Sequence, residues 1–186
     1  MAVITETKKK LKGTRDIDDF FMIMIYSGVP QNKRAVCGVA VLLDKRWKKK
    51  IVSYIFVSER IIIVRLKIER GYLSVFGAYA AENGKKEEIF YQELQHRLNS
   101  CNKNDYLIIA VDLNARVGNQ SIPSVVGTFG ESCLNENGNL LRDFAIFNYL
   151  KITNTFFRKK EINKYSWMAR GLRWLIDYII VNTKLP

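Results

Sequence analysis

Short runs of β-branched and aromatic residues punctuate this chain at close intervals, and that spacing limits what it can fold into. They fall at 21–28 (FMIMIYSG), 37–43, 52–58, 61–68, 72–80, 107–113, 152–157, 165–168 and 174–182. Ile, Val, Tyr and Phe fit the pleated, half-buried surface of a sheet, so each run reads as a strand. Two segments break the pattern. Over 87–100, Phe90, Leu94 and Leu98 recur at helical spacing behind Glu87 and Glu88 in the first turn. Over 138–150, Leu140, Phe144, Phe147 and Leu150 form a second apolar stripe, which follows a Gly/Asn-rich loop at 127–139. Strands, helix, strand, helix, strands is the order of an α/β or α+β sandwich, with mixed sheets inside and helices outside. No repeat, low-complexity linker or Pro-rich boundary interrupts it, which predicts a single domain over 1–186.

A chain of 186 residues can bury a sizeable core. No apolar run reaches membrane-spanning length, and the lysines at the N-terminus follow the short apolar run instead of preceding it. The expectation is an intracellular protein, nuclear or cytoplasmic, with no membrane association. Cys37, Cys101 and Cys133 are widely separated and form no CxxC pair, and His96 is the only histidine. Reduced thiols are therefore expected, not a zinc site. The formal net charge of +12 favours a polyanion, nucleic acid first and an anionic membrane second. Lys8, Lys9 and Lys10, then Lys48, Lys49 and Lys50 within the run 45–50, are the candidate nucleic-acid contacts; a third cluster is Arg158, Lys159 and Lys160. Solvated lysines that only keep the chain soluble are the alternative.

Polar residues stand where apolar runs stop or start. Glu6 follows AVIT, Tyr79 ends LSVFGAY, Asp112 and Asn114 end LIIAVDLN, and Asp177 opens IDYIIV. Side chains two apart on a strand share a side, which would project Asp112 and Asn114 together. If the last strand runs antiparallel to the one ending at Asp112, all five groups share a rim. Clustered carboxylates need a cation, and Mg²⁺ or Mn²⁺ suits them, since Mg²⁺ takes one or two carboxylates plus water and substrate phosphate. Taken singly, each residue also has a structural reading. Asp112 and Asn114 suit a turn, Tyr79 a core position, Asp177 a pair with Arg173 or Lys184, and Glu6 the surface.

These residues carry a resemblance. VDLNARVG (111–118) resembles the Gly-Asp-(Phe/Leu)-Asn motif of the endonuclease/exonuclease/phosphatase superfamily. ITETKKK (4–10) resembles its Gln-Glu-Thr motif, VFGAYAAE (75–82) its Tyr-Ala-Pro strand, and WLIDYIIVN (174–182) its late Ile-Asp-Tyr-Ile motif. VVGTFGE, NTFF and KYSWM look like the LINE-type retrotransposon branch and sequences derived from it. The resemblance implies a four-layer α/β sandwich and metal-assisted hydrolysis of a phosphodiester, with DNA as substrate and RNA as the alternative. By resemblance, Glu6 would bind the divalent metal and Asp112 would align and deprotonate water. Asn114 and Tyr79 would contact the phosphate, and Asp177 would orient a histidine.

The pattern also departs from the family. No Ser-Asp-His motif follows Asp177, and Met1 stands almost on the Glu6 motif. Val111 replaces a glycine and Ala81 a proline. The resemblance thus implies a domain truncated at both ends, lacking the family's first and last strands. Loss of one phosphate-stabilising donor costs about 2.7–4 kcal/mol of barrier, so catalysis is expected to be impaired. A catalytically inactive, basic nucleic-acid-binding remnant of a mobile element is the alternative. A phosphatase of the same fold, acting on an inositol phosphate or lipid, is a third class that the motif wording disfavours.

Overall fold

A computed structural model describes residues 1–80 and 85–184. Ala81 lies outside the described residues. Two compact units partition the chain: residues 1–79 with 96–111, and residues 80–95 with 112–186.

The first unit is dominated by strands. β1 (Ala2–Ile4), β2 (Lys12–Ile17), β3 (Met22–Ser27) and β4 (Val39–Asp44) form a sheet in the order β1-β4-β3-β2. Each neighbouring pair is antiparallel, as in Ile25↔Val41 and Thr14↔Ile25. β5 (Ile51–Phe56), β6 (Ile61–Ile68), β7 (Gly71–Tyr79) and β8 (Tyr106–Asp112) follow one another in a second sheet. β5, β6 and β7 are an antiparallel meander, with a register shift between Ile51 and Ser53. The two sheets pack through aliphatic side chains. Ile23, Ile25, Val39, Val41 and Leu43 meet Ile62, Val64, Leu66 and Val75, and all are buried. Each fully buried aliphatic chain contributes about 1.5–3 kcal/mol, so this cluster is the main stabilising term of the unit. Gly77 keeps the faces close: a Cβ there would lie 3.0–3.1 Å from Val3, Ile62 and Val39.

The second unit holds the larger part of α1 (Lys85–Asn99), all of α2 (Glu136–Phe147), and the antiparallel pair β9 (Leu150–Ile152) and β12 (Asp177–Asn182). It also holds the hairpin of β10 (Trp167–Ala169) and β11 (Leu172–Trp174). Asn135 caps α2 by accepting from the Gly138 amide at 2.8 Å. Among the described residues no helix is long and apolar enough to cross a membrane.

The architecture is the expected α/β sandwich of sheets accompanied by helices. Several local readings change. The stripe on α2 runs through Gly138, Leu141, Phe144 and Ala145, whereas Phe147 is 73% exposed. Run 152–157 leaves the strand at Ile152, because Thr155 turns back and its hydroxyl donates to the Ile152 carbonyl at 2.7 Å. Run 174–182 is two strands, broken at Leu175–Ile176. β1 and β2 carried no periodic signal.

Candidate active site

Tyr79 stands at the end of β7 and is 6% exposed, packed with Val29 and Cys37. Its backbone amide donates to the Arg60 carbonyl (2.9 Å), and the Arg60 guanidinium lies over its ring at 5.0 Å. The Tyr79 hydroxyl donates to Glu6 Oε1 at 2.9 Å, joining residues 73 apart in sequence. Glu6 is itself exposed. The segment that carries it is irregular: Glu6, Lys8 and Leu11 all have left-handed backbones (φ 50°, 49° and 64°). Each such residue costs on the order of 1–3 kcal/mol, and such strain persists only where surroundings over-determine it. Here they do. Thr7 N–H donates to the Gly38 carbonyl, Leu11 N–H to Val29, and Val29 N–H to Lys9. Gly28 is required at this crossing, since a Cβ would sit 2.2 Å from the Lys9 carbonyl oxygen.

The lysines separate into two places. Lys9 lies over the Tyr26 ring (4.9 Å), and Lys10 donates to the Gln31 carbonyl (2.9 Å); Lys8 is exposed. All three belong to the Glu6 end of the first sheet. Lys48, Lys49 and Lys50 follow β4, at the end where Asp44 pairs with Met22. The length of β2 separates the two groups, about 20 Å at about 3.3 Å per residue. Much of the charge in the run 45–50 is also matched. Lys48 donates to Asp16 (2.9 Å), Arg46 to Asp44 (2.9 Å), and Lys45 pairs with Asp18. The Lys48 ammonium, as donor, holds the Asp16 carboxyl below the usual range, and Arg46 pulls Asp44 down to about 2.

In the second unit, Asp112 closes β8 and is half-buried. The same-side argument for Asn114 does not hold, because the strand ends at Asp112 and Asn114 turns left-handed (φ 49°). The two remain neighbours through the turn itself: Asn114 N–H points at Asp112 Oδ1, 3.3 Å away. Asn135 fastens that turn. Its Nδ2 donates to the Asn114 carbonyl (3.0 Å), and its Oδ1 accepts from Arg116 N–H (2.8 Å). Gly138 allows the approach, since a Cβ there would lie 1.9 Å from the Arg116 carbonyl oxygen.

Asp177 opens β12, and Leu113 N–H donates to the Ile176 carbonyl (3.2 Å), which sets the backbones beside Asp112 and Asp177 next to each other. Asn154 braces the start of β12 by donating to the Asp177 carbonyl (3.2 Å) and accepting from Ile179 N–H (2.9 Å). Asp177 N–H donates to Ser166 Oγ at 3.1 Å.

Sequence reasoning overlooked the ion pair that ties these segments. Arg116 donates Nε and Nη2 to the two oxygens of Glu131 (3.0 and 2.7 Å), and Leu175 N–H donates to the same carboxylate at 3.2 Å. Glu131 is 3% exposed, and the Arg116 guanidinium also lies 5.6 Å from the centre of the Trp174 ring. The only advance signal was that Arg116 and Glu131 sit inside the quoted motifs. His96 is exposed on α1.

No group of three or more His, Cys, Asp or Glu among the described residues clusters closely enough to hold a metal. Glu6 nonetheless suits Mg²⁺ or Mn²⁺: it offers a hard carboxylate oxygen at an exposed position, oriented by a hydroxyl donor on the other oxygen.

The chain has the fold of the endonuclease/exonuclease/phosphatase superfamily. It superposes on an AP endonuclease from Leishmania major with a TM-score of 0.66, at 16% identity, over 98% of this chain and 69% of that one. It also superposes on the endonuclease domain of TRAS1, a telomere-specific non-LTR retrotransposon, with a TM-score of 0.59, at 12% identity, over 88% of this chain and 68% of that one. In sequence it is similar to craniofacial development protein 2 of Bos taurus, with 37% identity over 183 residues. That match covers 95% of this chain but 30% of the bovine protein. No protein-family model matches.

Proposed function

We propose that this chain is a divalent-metal-dependent phosphodiesterase of the retrotransposon-endonuclease type, acting on DNA. The observation that carries the reading is the hydrogen bond from Tyr79 to Glu6. A buried tyrosine and an exposed acid from distant segments are held together. The fold likeness and the net charge of +12 support the same reading.

Glu6 is the residue that would hold Mg²⁺ or Mn²⁺, and the bound ion would neutralise charge developing on phosphoryl oxygens. The Asp112 carboxylate takes the proton of the attacking water. The Asn114 amide donates to phosphate oxygens, where charge accumulates, and Tyr79 would contact the same phosphate while its O–H stays on Glu6. Asp177 is the acid that would orient a histidine. Exposed lysines such as Lys8 and Lys49 supply sequence-independent attraction to the backbone.

The test is relaxation of supercoiled plasmid by the purified chain in Mg²⁺ or Mn²⁺. Nicking is expected with either ion, lost in EDTA, and reduced at least a hundredfold in Asp112→Ala. Plasmid left intact by the wild type, or nicked equally by Asp112→Ala, would refute the reading. The high positive charge favours one second reading, binding without cleavage. Retarded but uncut plasmid would be its signature.

A further inference from the structure

A cavity of about 250 Å³ opens in the first unit, far along β7 from Tyr79. The register builds it. Ser53, Arg65 and Ser74 stand in one cross-strand row of β5, β6 and β7, and Ile55 and Ile63 form the next row on the same face. The end of α1 and the turn after it close the other side with Arg97, Cys101 and Asn102. Ser74 and Tyr79 are five residues apart on one strand, about 16 Å at about 3.3 Å per residue, so the cavity is separate from the Glu6–Tyr79 pair.

The charges in it do not cancel. Arg65 is committed to Asp105 through two bonds of 2.7 and 2.9 Å, and Ser74 donates to the same carboxylate at 2.8 Å. That triad is neutral and satisfied. Arg97 has no such partner: its Nε is buried and without a hydrogen bond among the described residues. A buried guanidinium N–H left unpaired is unfavourable, so an acceptor brought up to this guanidinium from the cavity is favoured. The Ser53 hydroxyl and the Asn102 amide add neutral donors on the rim. The volume lies just below the range of about 300–1,000 Å³ typical of drug-sized ligand pockets, which suits a compact ion or ester.

We infer that this cavity binds a phosphate-type oxyanion, free or as a small phosphomonoester, through the Arg97 guanidinium. The probe is inorganic phosphate, titrated into the full chain while the arginine Nε–Hε signals are followed by NMR. The Arg97 signal is expected to shift saturably. Arg97→Gln should abolish saturable binding. Asn102→Asp should weaken it at least tenfold without unfolding the chain, because the residue is exposed and Asp keeps the acceptor for Asn104 N–H. Glu6→Gln should leave it unchanged. Tighter binding of glycerol 3-phosphate than of inorganic phosphate would assign the site to phosphomonoesters, and the reverse order to the free ion. A response that never saturates, one that Arg97→Gln and Asn102→Asp leave intact, or one that Glu6→Gln removes would overturn the inference.

Discussion

Glu131→Gln tests whether one buried carboxylate holds together the segments bearing Asp112, Asn114 and Asp177. Glu131 is 3% exposed and accepts three N–H donors, two from Arg116 and one from Leu175. Glutamine fills the same volume but turns an NH₂ toward a guanidinium that has only donors. Breaking a buried ion pair from one side costs about 3–5 kcal/mol. The Arg116 side chain is 24% exposed, so water partly rehydrates it and the lower end, about 3 kcal/mol, is expected. For a chain of this size that corresponds to a fall in Tm of about 6–12 °C. Urea denaturation should be followed by tryptophan fluorescence, because Arg116 lies against Trp174, which stacks on Trp167 at 4.3 Å. Arg116→Met and the double variant complete a cycle, and a coupling of about 1–3 kcal/mol is expected. Plasmid nicking should fall along with stability, since the pair anchors both the turn after β8 and the entry to β12. A loss below about 1 kcal/mol, or strict additivity of the two substitutions, would refute the account.

Two further outcomes follow from other charges. Glu87 is 5% exposed, and burial raises its pKa above 4.5 against the opposing hydrogen bond from Asn137. Its ionisation therefore disfavours the folded state progressively as pH rises above 4.5. Glu87→Gln keeps the acceptor for Asn137 (2.6 Å) and should raise Tm at pH 7, with the gain vanishing below pH 4.5; an equal gain at both pH values would contradict the burial argument. For DNA, Lys8→Ala should flatten the salt dependence of duplex binding by about one unit of slope, while Lys48→Ala, whose charge is already matched by Asp16, should change it little. Fluorescence anisotropy across a salt series reads both, and equal slopes for the two variants would remove the distinction between the lysine groups.

What the sequence disclosed, and what it hid, follows from where burial is one-sided. β3, β4, β6, β7 and β8 were legible because each buries Ile, Val or Phe in runs that a sheet interior demands, and β5 was legible from its composition although none of its residues is fully buried. Phe90 and Leu94 on α1 were legible for the same reason. β2 was not: KGTRDI lies on the edge of its sheet with most side chains in water, so no apolar alternation marks it. Its existence depends on pairing to β3, which is tertiary information. Phe147 misled in the opposite direction, since its spacing placed it on the buried stripe while the face of α2 is set by Leu141 and Phe144, leaving it in solvent. The polar positions show the same division. Glu6 and Tyr79 were named from their places at the ends of apolar runs and then from motif wording, and their hydrogen bond joins them in the fold. Asn114 was named for a geometry it does not have; a left-handed turn, fixed by Asn135 and made possible by Gly138, keeps it beside Asp112 instead. The groups that do the fixing, Asn135, Glu131 and Asn154, bond mainly to backbone or to one another's neighbours. Nothing in a pattern of residue types announces such a partner, because its chemistry is that of any capping or loop residue until the chain has folded around it.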